Sequence, residues 1–302
     1  MYVSPQALRC FLAVADELHF GRAATLLHMT GPALSQQVSR LEKDLRFLLF
    51  ERNSRHVELT EAGRALIPQA RAVVAANETL LRWRESVRLG RRSIDIGFMA
   101  TGAGLLTTAV LDRLRSADPD LHVKLHHLEW SEQLAPLLAG DIDAVFVREP
   151  FPAEGVRRRR ILSERRVAVL AHDHPLAARE SIRFAEIATE PFISSSGGPP
   201  EWTDFWMVNP RPDGTRAEPS LAVSTVEELL EAVAAGAGVT TTPESLPTYY
   251  RHPLVSFVPI DDISPSVVTL CTLEGNRRPE LTTLQDAIGQ ACHQAAVKPP
   301  MK

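Results

Sequence analysis

Residues 30–45 read TGPALSQQVSRLEKDL and set hydrogen-bonding and basic side chains at helical spacing: Ser35 and Gln36, Ser39 and Arg40, then Lys43. Hydroxyls and a carboxamide can exchange hydrogen bonds with the edges of base pairs, and the cationic groups behind them can meet phosphates. Such chemistry needs a rigid carrier. Leu34, Val38, Leu41 and Leu45 fall at i, i+4, i+7 and i+11 and form one apolar stripe, which leaves the polar residues on other faces. Thr30 or Gly31 can cap this helix, and Pro32 suits its first turn, where a missing N–H costs nothing. A polar stripe alone is also what any solvated helix presents, so the neighbouring elements decide between the two readings.

Upstream, Leu8, Phe11, Leu12 and Ala15 recur at helical spacing, with Ser4 as N-cap and Pro5 at the first helical position. A second short helix is expected from about Gly21 to His28, where Ala23 and Ala24 let a neighbour approach closely. A tight turn then leads into the third helix. Downstream comes FERNSRHVELTEAG: Phe50 and Val57–Leu59 read as short strands, and Arg52, Asn53, Ser54, Arg55 and His56 as the polar turn between them. A basic hairpin after a helix-turn-helix is a wing, whose arginines can enter a minor groove or grip phosphates.

The run resembles the N-terminal winged helix-turn-helix of the LysR-type transcriptional regulators of bacteria, in LRCFLAVADELHFGRAATLLHM, PALSQQVSRLEKDL and LFERNSRHVELTEAG. It covers about residues 4–90 closely and the rest more loosely. The resemblance implies double-stranded DNA as a partner. It also implies contacts from Gly31, Pro32, Ser35 and Gln36 at the head of the third helix and from Arg52 and Arg55 of the wing. Ser39 and Arg40 continue that face. Two positions depart from the family pattern. Gly31 stands where a Gln is usual, so any contact there must come from the backbone. Arg46 stands where a Gly is common after the third helix; a side chain in a left-handed closing position costs on the order of 1 kcal/mol.

Thr60 should cap a helix running to about Val87, in which Leu66, Ala70, Val73, Asn77 and Leu80 step as a heptad seam, widened by Ile67, Val74 and Leu81. Such a stripe must be buried, against a second copy or against its own chain. The copy fits a two-fold reader of two half-sites, so a homodimer through this helix is expected. The resemblance extends this to a homotetramer. Asn77 could fix register, and Pro68 should bend the helix. RLGRRS, residues 88–93, reads as a basic hinge.

From Ser93 strand and helix patterns alternate, an α/β arrangement with mostly parallel strands. AGDIDAVFVREP, HPLA, PFI and EELLEAVAAGAGVTTTPES resemble the effector-binding domain of the same family, itself similar to periplasmic solute-binding proteins with two crossover strands. The expected fold is therefore α/β multi-domain. It comprises a winged helix-turn-helix (1–59), a linker helix and hinge (60–92), and a periplasmic-binding-protein-like type 2 effector domain (93–302). The last has two subdomains, 93–164 with 269–302, and 165–268, with a ligand in the cleft between them. Thr101 and Gly102, at the turn after the first strand, and Trp130 or Ser131, before the next helix, are the candidate ligand residues, because helix-start N–H groups and a hydroxyl attract anions. Arg148, at a strand end, could meet a carboxylate or lie on the surface. A small organic anion is the expected effector.

Charge distribution agrees with this division. Residues 1–92 hold 14 Lys and Arg against 9 Asp and Glu, net +5, while the rest is net −9. The three cysteines, Cys10, Cys271 and Cys292, have no metal-type spacing and suit a reduced cytoplasmic protein. The opening twenty residues carry charges and no small-residue cleavage site, so a secretory signal is not expected, nor is a membrane span or a metal. Arg157–Arg160 reads as a salt-bridged edge before a strand, and Ser194–Gly198 as a flexible loop. Gly97, Gly102 and Gly104 do not make a dinucleotide fingerprint. No catalytic set or cofactor motif stands out, so an α/β enzyme, or a solute-binding protein with a helical extension, is the weaker alternative.

Overall fold

The computed structural model of the protein describes residues 3–52, 57–90, 92–102, 104, 106–152 and 154–297 of the 302. The chain forms two compact units, Met1–Gly90 with Leu137–Asp141, and Arg91–Pro136 with Ile142–Lys302.

The first unit opens with α1 (Pro5–Glu17), α2 (Phe20–Leu26) and α3 (Gly31–Leu45). Each start is capped by the side chain before it. Ser4 Oγ accepts from Ala7 N (3.1 Å), His19 Nδ1 from Gly21 N (3.0 Å), and Thr30 Oγ1 from Ala33 N (3.4 Å). The helices enclose a core of Phe11, Ala23, Leu34, Val38 and Leu41, each at most 1% exposed, with the rings of Phe11 and Phe50 5.5 Å apart. Arg46 closes α3 at φ 62°, its N–H donating to Glu42 O. The left-handed closing position therefore persists without glycine. β1 (Phe50–Arg52) and β2 (Val57–Leu59) form an antiparallel hairpin. Glu42 anchors its start: buried, it accepts through Oε1 from Leu49 N (2.9 Å) and Phe50 N (3.2 Å).

α4 (Glu61–Leu89) begins where Thr60 Oγ1 accepts from Gly63 N at 2.9 Å, and it continues through Pro68. Its apolar face divides. Ala70 and Val74 are buried, with Leu66 and Ile67 partly so, against the core of the same unit, and Arg71 is ion-paired to Asp16 of α1 at 2.8 Å. Val73, Leu80, Leu81, Trp83 and Val87 are exposed. The single seam expected along the whole helix is thus shared: the first turns pack on their own chain, and the later heptad positions do not.

In the second unit β3 (Ser93–Phe98), α5 (Leu106–Ala117), β4 (His122–His127), β5 (Ala144–Arg148) and β6 (Val156–Glu164) come first, with α6 (Ala135–Ala139), most of which counts with the first unit, between β4 and β5 in the chain. β7 (Arg166–Ala171), β8 (Ile193–Ser195), α7 (Pro200–Met207), β9 (Leu221–Val223) and α8 (Val226–Ala234) follow. β10 (Thr240–Pro243), α9 (Leu246–Tyr249), β11 (Val255–Pro259), β12 (Ser266–Leu273) and α10 (Pro279–Val297) complete it. A five-stranded sheet has order β4-β3-β5-β12-β6, a three-stranded sheet β10-β7-β11, and β8 pairs β9. β5 and β7 are buried along nearly their whole length, hence their unbroken apolar runs.

The chain leaves the first sheet after Glu164 and returns to it at Ser266. That double crossing overturns the expectation of mostly parallel strands. β12 re-enters antiparallel to both β5 and β6, and β10 and β11 run antiparallel to β7, leaving only β3–β4, β3–β5 and β8–β9 parallel among the named strands. Between β7 and β8 the chain makes a single 3-10 turn, Phe184–Glu186. Arg157–Arg160 lie inside the edge strand β6 rather than ahead of it. Arg160 forks onto the Glu149 carboxylate (2.9 and 3.1 Å), and Arg159 donates to Gln285 O (2.7 Å).

Candidate functional site

Two sites emerge, one in each unit. In the first, the buried stripe Leu34, Val38 and Leu41 turns the opposite side of α3 to solvent. At about 100° per residue, Pro32, Gln36, Ser39 and Lys43 fall within about 60° of one another, with Arg40 beside them. All five are exposed, while Gly31 and Ser35 lie half-buried on the flank nearer the core. Neither Arg40 nor Lys43 has a carboxylate partner among the described residues, so both charges are free to meet an anionic surface. No atom stands within 4 Å of where a Cβ at Gly31 would lie, so the backbone there is open to close approach. Arg52 closes β1, opposite Val57. Arg55 and the rest of the wing tip lie outside the described residues.

Close packing holds the wing to α4. A Cβ on Gly63 would sit 2.3 Å from Leu49 O. That carbonyl accepts from Thr60 N (3.0 Å), and Thr60 Oγ1 donates to Leu48 O (2.7 Å). Glycine is required because the backbone before β1 touches the first turn of the helix.

The second site is an open cavity in the second unit, between the end of β3, β8, α7, α8 and β10, with about 630 Å³ of empty space when the open solvent at its mouth is included. Thr101, Trp130 and Arg148 line it; Gly102 and Ser131 do not. Ser131 is exposed, its hydroxyl donating to Glu129 Oε2 at 3.5 Å. At this turn the candidate is therefore Trp130.

The expected anion cradle is already occupied. Gly102 N donates to Met99 O (2.8 Å), Gly104 N to Thr101 O (2.9 Å) and Thr107 N to Gly104 O (3.1 Å), so these three N–H groups are spent within the turn. Arg148 is neither a surface arginine nor a free cation. It is 6% exposed and paired with Glu164 at 2.8 Å, donating also to Ser266 Oγ (2.8 Å) and Thr101 Oγ1 (3.0 Å). Burial pulls its pKa below the usual arginine value, and Glu164 opposes that shift. Glu164 also accepts from Ser245 N (2.8 Å), so one ion pair ties β5 and β6 to the start of α9.

Much of the lining escaped the sequence reading. Ser194 and Ser195 belong to β8 rather than to a flexible loop, and Thr240, Thr241 and Thr242 come from β10. Trp202 and Trp206 project from α7, ring centroids 5.8 Å apart, with Trp130 6.1 Å from Trp202. The signal for α7 was present: prolines at its head and two tryptophans at i, i+4. Hydroxyl demand is uneven. Thr240 Oγ1 donates to Ile193 O (2.9 Å) and Thr241 Oγ1 to Trp206 O. Ser195 Oγ, Thr242 Oγ1 and the indole N–H groups of Trp202 and Trp206 have no partner among the described residues. Among the described residues no His, Cys, Asp and Glu cluster could hold a metal, and no helix is long and apolar enough to cross a membrane.

Comparison with known proteins agrees in both units. Residues 5–64 match the model of the bacterial regulatory helix-turn-helix proteins of the lysR family, and residues 88–293 that of the LysR substrate binding domain. The chain is 31% identical over 282 residues to the Hca operon transcriptional activator HcaR of Escherichia coli strain K12, covering 91% of this chain and 93% of that one. It is 36% identical over 197 residues to the HTH-type transcriptional regulator YnfL of the same organism, 64% of this chain and 66% of that one. The crystal structure of full-length CbnR complexed with its target DNA superposes with a TM-score of 0.54 at 22% identity, covering 96% of this chain and 100% of that one. A helix-turn-helix joined to a two-sheet ligand domain, matched over nearly the whole length, leaves one assignment: the chain belongs to the LysR family and is a DNA-binding transcriptional regulator, not an enzyme.

Proposed function

We propose that the exposed face of α3 enters the major groove and that a small-molecule effector binds in the cavity of the second unit. Gln36 and Ser35 meet base edges, the Gly31 and Pro32 backbone approaches the duplex closely, and Ser39, Arg40, Arg52 and Arg55 position the protein on phosphates. The observation that carries the reading is the α3 face itself: Pro32, Gln36, Ser39, Arg40 and Lys43 exposed together over a fully buried stripe. Thr101, Trp130 and Arg148 are the expected effector residues that belong to the cavity. Effector binding would bias the two sheets of the second unit between arrangements of different DNA affinity. The exposed heptad positions Val73, Leu80 and Val87 of α4 support a homodimer, whose two readers address two half-sites about one helical turn apart or a multiple of it. Such a protein acts in the cytoplasm, where the DNA is.

The test is fluorescence anisotropy with labelled DNA from upstream of the protein's own gene, titrated from low to moderate salt. The reading predicts a steep negative salt slope and at least about a thousandfold preference over random duplex. Equal affinity for both duplexes, or no binding at low salt, would contradict it.

A further inference from the structure

Among the described residues that line the cavity, Arg148 is the only cation, and it is paired. Arg148 faces Glu164 at 2.8 Å and donates also to Ser266 and Thr101, so the pair brings no net charge to a ligand. The turn after β3 spends the N–H groups of Gly102, Gly104 and Thr107 on backbone carbonyls. What the cavity does offer is three indoles, from Trp130, Trp202 and Trp206, over an aliphatic floor. Its lining residues Trp202, Trp206 and Thr242 also carry hydrogen-bonding groups with no partner among the described residues. The indole N–H of Trp202 (4% exposed) and of Trp206 (8%) can only donate, and the hydroxyl of Thr242 (5%) can do so.

We infer that the effector of this protein is an uncharged aromatic compound bearing hydrogen-bond acceptor oxygens, such as an aryl amide, ester or ketone. The inference rests on the reading of this cavity as the effector site. Flat rings stack on or lie edge-on to indoles at low entropic cost. Carbonyl oxygens answer donors that otherwise stay unpaired in a buried site, where an unmade hydrogen bond is expensive. A carboxylate would supply acceptors too, but it would bring an uncompensated charge into a site whose arginine, the only one lining it among the described residues, is already neutralised. An ammonium would leave the indole N–H groups unanswered.

The test compares a matched pair, 1-naphthamide and 1-naphthoate, by isothermal titration calorimetry on the full chain at pH 7.5, with Glu164→Gln alongside the wild type. The wild type is expected to bind the amide at least tenfold more tightly than the carboxylate. Glu164→Gln keeps an acceptor for Ser245 N but frees the Arg148 charge, so naphthoate affinity is expected to rise at least tenfold and the preference to shrink or invert. Naphthoate binding as tightly as naphthamide to the wild type, or neither compound binding up to its solubility limit, would overturn the inference. Should Glu164→Gln fail to fold by circular dichroism, the wild-type ratio decides alone. DNA anisotropy on the same preparation separates the two levels. Protein that binds its DNA but not naphthamide refutes the ligand class, and protein that binds naphthamide but no DNA refutes the regulator reading.

Discussion

Replacing Gly63 by alanine sets two magnitudes against each other. Inside a helix, alanine is favoured over glycine by about 1 kcal/mol. At this position, however, the added Cβ would lie 2.3 Å from Leu49 O and 2.9 Å from Leu59 Cδ2. The carbonyl cannot retreat cheaply. It accepts from Thr60 N at 3.0 Å, and Leu49 N is held by the Glu42 carboxylate at 2.9 Å. Overpacking of this kind costs about 1–3 kcal/mol, and a sacrificed Thr60–Leu49 bond adds about 0.5–1.5 kcal/mol. The clash wins, for a net loss of about 1–3 kcal/mol. For a unit of this size that is a fall of at least about 4 °C in melting temperature. Gly31→Ala is the matched control: it too stands in the first turn of a helix, with nothing within 4 Å of its Cβ. It should melt at or above the wild type, so that any loss of DNA affinity reports the interface and not folding. Thermal denaturation of the full chains by circular dichroism, beside DNA anisotropy, reads both. Gly63→Ala melting as high as the wild type, or Gly31→Ala melting lower than Gly63→Ala, would refute the packing argument.

Glu42→Ala strips the acceptor from two buried backbone N–H groups, those of Leu49 and Phe50, and should cost about 1–3 kcal/mol for each N–H left unpaired; urea denaturation measures it. Leu80→Glu with Val87→Glu places charges on the exposed face of α4 and should convert dimer to monomer by sedimentation velocity while leaving the melting temperature of the first unit unchanged. Burial pushes the Cys271 thiol from 9.0 up to about 12, so between those values the folded chain keeps a proton that the unfolded chain has lost. Stability should therefore fall as pH rises from 9 toward 12, and fall less steeply in Cys271→Ala; parallel slopes by chemical denaturation would contradict this.

What could be read in the chain, and what could not, divides along physical lines. The helices α1, α3 and α4 of the first unit announce themselves by caps and periodicity: Ser4, Thr30 and Thr60 are where a helix start needs them, and Leu34, Val38 and Leu41 stay on the inner face. His19, which caps α2 through Nδ1, is not a residue usually read as a cap. The face of α4 divides because periodicity says which residues need cover, not what covers them. In the second unit the strands were legible but their directions were not, since β12 joins β5 and β6 only after a long excursion through the other sheet. The cavity suffers most from this. Ser194, Trp202, Trp206 and Thr242 come from three separate elements and meet only through tertiary packing. Arg148 was found in sequence as a strand-end cation, but its partner Glu164 ends another strand, and that pairing reverses its meaning from anion receptor to neutralised anchor.

Methylation protection at guanine N7, which faces the major groove, tests the central claim most directly. With DNA from upstream of the gene and wild-type protein, we expect two patches of protection, their centres one helical turn or a multiple apart. In Gln36→Ala we expect both patches to weaken together while the melting temperature stays unchanged. Bound DNA whose N7 positions remain fully reactive, or protection identical in wild type and Gln36→Ala, would mean that α3 does not read the groove.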